Sequence, residues 1–255
     1  MGAALEVEVL KLRRATAPRV AALAVAVGVP ALGAAFMAVA RADGESQMAA
    51  KVRPMLVGTG WEAYLTMIGQ VLSVGVLLAV GVVVCWSFGR EFTDGTFGSL
   101  FAIPTARRDI ALAKATVLLG WGLGLCVATV VIAVPLGVLT GVGAPGEGMV
   151  AGVVRTLVVG GLMVVLSLPL ALVASMHRGY LPGIAGLLGI VVVTQIVTVA
   201  GAGTWFPYAA PGLWAGMGGP EAAAAVGVPH LLLALPVGLG GAVATAWWWG
   251  RAEAI

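Results

Sequence analysis

The chain has 255 residues, 60% of them hydrophobic and 10% charged, with a formal net charge of +3 and a mean hydropathy of +1.06. Soluble globular domains carry about 25% charged residues, so the composition excludes an ordinary water-soluble domain and reads as an all-α integral membrane protein forming one domain over 1–255. Cys85 and Cys126 fall within or beside apolar runs and cannot make a disulfide framework. No Asn is present to accept an N-linked glycan, and the excess of Ala, Gly, Val and Arg points to a bacterium with a GC-rich genome.

In chain order, Leu5 to Arg14 (LEVEVLKLRR) reads as a short amphipathic helix. Leu5, Val9 and Leu12 share one stripe, and acids precede bases as the helix dipole prefers. This polarity excludes a signal peptide. Residues 1–17 are read as a helix lying along the inner membrane surface; the plainer alternative is a basic flank for the first span.

A spanning helix needs about 20 predominantly apolar residues. Six stretches qualify, roughly 18 to 40, 64 to 88, 110 to 139, 151 to 175, 181 to 200 and 228 to 249. The first is followed by a polar loop from Arg41 to Trp61, in which Arg41, Asp43, Glu45, Lys51 and Arg53 are charged. Pro30, Pro135, Pro169 and Pro236 lie inside spans and predict kinks where a backbone hydrogen bond is lost.

The linker between the last two stretches, Gly201 to Gly227, is too apolar for a solvated loop and too rich in Pro and Gly for a spanning helix. We read 201–227 as a re-entrant outer segment of short helices, with Trp205, Phe206 and Trp214 as an outer gate. The alternative is a loop lying flat on the interface through the same aromatic residues.

With six spans both termini share a side. Ten basic residues fall on that side, against Arg41, Lys51, Arg53 and Arg155 opposite. The excess of Lys and Arg on the terminal side places both termini in the cytoplasm of a plasma-membrane protein. Because these bases flank membrane helices, the positive charge carries no sign of nucleic-acid binding.

Catalytic signals are sparse. His177 and His230 are the only histidines, which excludes an HExxH metal motif, and none of the three lysines follows a Gly, which excludes a Walker A loop. Gly141, Gly143 and Gly146 match GxGxxG but follow a membrane helix, with Pro145 among them, so no dinucleotide site is read. The GxxxG spacings are no more frequent than 38 glycines produce by chance, so they specify no dimer, although glycine still permits close helix approach.

Glu62, Lys114, Arg155 and His230 fall near span ends. Gln70, Thr194 and Gln195 are then the deepest polar side chains, and are candidates either for a substrate path or for helix-to-helix hydrogen bonds. Without mid-membrane acids, a carrier driven by its own carboxylates is disfavoured.

The most polar interior segment is Trp86 to Lys114, which holds Arg90, Glu91, Asp94, Arg107, Arg108, Asp109 and Lys114. Asp94 suits a helix N-cap, and Phe97, Leu100 and Phe101 follow at helical spacing before Pro104. This predicts an amphipathic helix over 90–104, with Arg107 and Arg108 anchoring the next span at the inner surface.

Within this segment, FGREFTDGTFGSLFAIPTARRDIALAK resembles the signature of ABC-2 type permeases, the membrane subunits of ATP-binding-cassette exporters. The size resembles the small permeases of bacitracin- and lantibiotic-type export systems. The resemblance implies that Asp94 to Ile103 is a coupling helix docking into a separate ATPase subunit, with Glu91, Asp94, Gly95 and Thr96 on the motif positions and Phe97, Leu100, Phe101, Arg107 and Arg108 completing the surface.

It further implies two ATPase copies, a second permease subunit, ATP and Mg held by the partner rather than this chain, and an antibiotic, peptide or lipid cargo. Glu91 is expected to pair either with a base of the N-terminal helix or with Arg107 and Arg108. The competing reading is a membrane scaffold or sensor that recruits an ATPase without transporting.

Overall fold

In a computed structural model, which describes residues 2–42, 46–102 and 104–252, the described chain is helical throughout, without strands. Six helices are long and apolar enough to cross a membrane: Thr16–Arg41, Gly60–Thr93, Arg107–Leu139, Met149–Met176, Tyr180–Val199 and Val228–Arg251. We call these spans 1 to 6. A separate helix, Gly2–Arg14, precedes them. Asp43 and Glu45 of the first polar loop, and Ile103, lie outside the described residues, as does the side chain of Phe101.

Span 2 is the hub. Its most apolar stretch is 61% buried, against 11% for span 5, which lies at the periphery. Leu65, Ile68, Leu72, Val76, Val80, Val84 and Phe88 are inaccessible, and their recurrence every three or four residues makes one continuous seam.

Span 4 packs most closely on that seam because glycines remove the intervening side chains. A Cβ at Gly152 would lie 2.7 Å from Leu65 Cβ; one at Gly160 would lie 2.6 Å from Cys126 Sγ and 2.9 Å from Leu72 Cδ2. Small residues thus supply the backbone approach that drives helix packing in lipid. Cys126 and Cys85 are buried free thiols, and Cys85 similarly faces Gly183.

The prolines act unequally. Pro169 divides span 4 into Met149–Ser167 and Leu170–Met176. Pro30 follows a π-helical turn at Ala24–Gly28, where the Val29 N–H reaches back to the Val25 carbonyl. Span 6 is interrupted at Leu233, ahead of Pro236. Pro135 lies inside an unbroken helix.

Residues 201–227 form a single 3-10 turn at Gly203–Trp205 and short helices at Ala210–Trp214 and Pro220–Ala224. Ala210, Leu213 and Ala215 are buried, and the Ala210–Trp214 helix rests on spans 2 and 4.

Candidate functional site

The end of the bundle that carries the termini is organised around the exit of span 2. The helix continues to Thr93, and Asp94 is its C-cap, its N–H donating to the Arg90 carbonyl at 2.8 Å. Gly95 then takes a left-handed φ of +69°, the conformation in which glycine commonly ends helices. The Phe97 N–H turns back to the Glu91 carbonyl at 2.7 Å.

This corrects the sequence-based expectation of an N-cap at Asp94 and an amphipathic helix over 90–104. Past Gly95 the chain makes one 3-10 turn instead, Gly98–Phe101. The glycines weaken longer helix here, and Phe97 is withdrawn into the bundle, where it stacks on Phe92 at 4.4 Å and meets Trp249 edge-on at 5.3 Å. Leu100 packs partly buried against the same core. The outward face of the turn is polar and small: Asp94, Gly95, Thr96, Gly98 and Ser99 are exposed.

Beneath this turn lies a closed ring of four charges. Lys114 Nζ, on span 3, donates to Glu8 Oε2 and Glu91 Oε1, both at 2.8 Å, and to the Ser87 carbonyl at 3.4 Å. Lys11 Nζ donates to Glu91 Oε1 at 3.0 Å and Glu8 Oε1 at 3.1 Å. Thr96 Oγ1 donates to Glu91 Oε2 at 2.6 Å.

Side-chain exposure is 1% for Lys114, 4% for Glu91 and 6% for Glu8, against 36% for Lys11. Two acids and two bases cancel, and each of the three Lys114 protons has an acceptor, the condition under which buried ions are tolerated. Burial draws the Lys11 ammonium down, but the Glu8 charge and the Glu91 carboxylate outweigh it and hold its pKa above the ordinary lysine value.

The ring joins three elements: the N-terminal helix, the exit of span 2 and the start of span 3. It also reassigns the faces of the N-terminal helix. Glu8 is buried, whereas Val7, Val9 and Leu10 are 50%, 41% and 49% exposed. Glu8 and Lys11 thus turn into the protein, with Leu5 and Leu12 partly buried and Val9 exposed.

Glu91 therefore pairs with Lys11 and Lys114, not with Arg107 or Arg108. The Arg107 guanidinium donates to the Ala252 and Gly250 carbonyls at the end of span 6, where a cation suits the helix C-terminus. Arg108 faces solvent beside Asp109 at 3.7 Å, and Arg90 pairs loosely with Asp94 at 3.6 Å.

Sequence reasoning missed Glu8, Lys11 and Lys114 as site residues. The available signals were the Glu8–Lys11 spacing on one helix face and a lysine about one turn inside an apolar run, which requires a partner.

At the opposite end, Thr194 and Gln195 line a cavity of about 240 Å³ with Ser73, Thr198 and Tyr208. Gln70 is not among its walls. It borders a neighbouring groove of about 420 Å³ between spans 1 and 2, and its Nε2 donates to the Met55 carbonyl at 2.9 Å. Thr194 bonds to the Ile190 carbonyl of its own helix at 2.7 Å. Trp205 is 64% exposed beside His230, Phe206 is half-buried, and Trp214 receives the Arg155 guanidinium over its ring at 5.2 Å.

Six long apolar helices around a glycine-packed core, with an ionic cluster beneath an inter-span turn, define a multi-pass membrane protein. Residues 4–197 match the model of the ABC-2 family transporter proteins, and the chain belongs to that family. No curated protein matches it. Membership makes it a permease component of an ABC transporter and implies association with an ABC ATPase, a membrane transport component rather than itself a catalyst.

Proposed function

We propose that this permease works as an exporter in a bacterial plasma membrane, two permease chains with two ATPase subunits, both termini in the cytoplasm. The observation that carries the coupling mechanism is the neutral Glu8–Lys11–Glu91–Lys114 ring under the Asp94–Ser99 turn. A force applied to that turn by an ATPase reaches Glu91 through Thr96, and through Glu91 reaches spans 2 and 3 and the N-terminal helix together. Four short charged contacts make these elements move as one body, so ATP-driven closure of the partner tilts spans rather than bending a loop.

The cargo we propose is an amphipathic or lipid-like molecule: an antibiotic, peptide or lipid. The cavity of about 240 Å³ supports this class, because apolar walls surround a few hydroxyl and amide groups.

The test separates docking from transmission. Asp94→Arg reverses an exposed charge without touching the ring and is expected to abolish co-purification of the ATPase. Glu91→Gln keeps the side-chain shape and is expected to retain the ATPase while lowering cargo-stimulated hydrolysis and export roughly tenfold, within the usual range of coupling energies. Full co-purification with Asp94→Arg, together with parental export by Glu91→Gln, refutes the mechanism.

A further inference from the structure

Near the end of the bundle away from the termini, a pocket of about 320 Å³ is bordered by Glu62, Thr66, Ala151, Val154, Arg155 and Trp214. It shares no residue with the cavity beside Thr194. Arg155 lies six residues into span 4, which begins at Met149, so its Cα is about 9 Å below the start of that helix at 1.5 Å per residue.

Arg155 Nη1 is buried and has no acceptor within the protein, and among the described residues no salt bridge joins Arg155 to a carboxylate. Its guanidinium is held against the Trp214 face, which fixes its plane without neutralising its charge. Glu62, on the same pocket, sits in the first turn of span 2, where the unpaired helix amides already favour a negative charge. A cation within a span that keeps an unsatisfied donor is suited to an anionic oxygen from elsewhere.

The pocket's flank shows where that oxygen comes from. Val150, Val154 and Val158 are 76%, 53% and 38% exposed. Their spacing makes an apolar stripe along span 4 that passes beside Arg155, and lipid is the solvent for such a stripe.

We infer that this pocket is a binding site for a zwitterionic phospholipid, its phosphate held by Arg155, its ammonium directed at Glu62 and its chains running along Val154 and Val158. With both termini in the cytoplasm, the lipid belongs to the outer leaflet. The site itself does not depend on ATPase coupling. Arginine is suited to the phosphate because its planar donors engage two oxygens at once.

The experiment is native mass spectrometry of the full chain released from nanodiscs containing phosphatidylethanolamine, phosphatidylglycerol or diacylglycerol. Parental protein is expected to retain phosphatidylethanolamine, phosphatidylglycerol less well and diacylglycerol not at all. Arg155→Gln should lower phosphatidylethanolamine retention roughly tenfold, Arg155→Lys should restore part of it, and Glu62→Gln should remove the preference over phosphatidylglycerol.

Equal retention by Arg155→Gln, or equal retention of diacylglycerol, overturns the site. Displacement of the lipid by millimolar inorganic phosphate overturns the lipid assignment in favour of a free-anion site. Circular dichroism and size-exclusion profiles matching the parent show that each variant is folded, and Arg155→Lys keeps the comparison informative should Arg155→Gln misfold.

Discussion

The two ends of this bundle handle buried charge in opposite ways. At the terminal end, Glu8, Lys11, Glu91 and Lys114 neutralise one another within 3.1 Å. At the other end, Arg155 has an aromatic face and, among the described residues, no salt bridge to a carboxylate. A closed ring of ions stiffens the elements it joins, because losing a fully buried member strands the others in low dielectric. A lone ion is an open valence, filled from outside the chain. On the functions proposed above, the difference separates a part that transmits motion from a part that holds a ligand.

The strongest test of that contrast is Lys114→Met. It leaves Glu8 and Glu91 as two buried acids served by the half-exposed Lys11, and should cost about 3–5 kcal/mol, seen as a large fall in thermal midpoint and in yield after detergent extraction. Adding Glu91→Gln to the same chain removes the stranded charge and should recover part of the loss, with a coupling of about 1–3 kcal/mol. Strict additivity would mean that the four residues are not a unit.

A smaller effect is expected for Lys11→Met, about 1 kcal/mol, because this member of the ring is partly in water and its pairing is screened. Its pKa is raised on folding, so the Lys11 contribution is fully present below its ordinary pKa of 10.5 and is lost as pH rises through the higher folded value. The gap in thermal midpoint between parent and Lys11→Met should stay level from pH 7 to about 10 and narrow above it. A gap that narrows below pH 9 would point to another group.

Least of all should Arg155→Gln disturb stability in lipid-free detergent. Loss of the Trp214 stacking, about 0.5–1 kcal/mol, is offset by removal of an unsatisfied buried donor, leaving a net change of about 1 kcal/mol or less. A loss comparable with that of Lys114→Met would give Arg155 a structural partner and erase the contrast between the ends.

Much of this architecture was legible in the sequence. Composition and the lengths of the apolar runs alone required six helices, because backbone polar groups in lipid must be satisfied within the segment. The motif from Phe88 to Lys114 pointed to the family that residues 4–197 match. Glu91 stood out for the same reason, and so did the folding of 201–227 into short helices, since its prolines and glycines forbid a long one.

Tertiary structure decided the rest, because periodicity assigns a residue to a face but not to a neighbour. Phe97, Leu100 and Phe101 have helical spacing, yet Phe97 turns inward because Trp248 and Trp249, about 150 residues later, offer an aromatic pocket. Glu8 reads as one polar residue of an amphipathic helix, yet it is buried because Lys114 lies opposite it across 106 positions of sequence. Only the packing of distant spans could show that two lysines share two carboxylates while, among the described residues, Arg155 is salt-bridged to none. A charge's partner is set by three-dimensional proximity, on which local sequence pattern is silent.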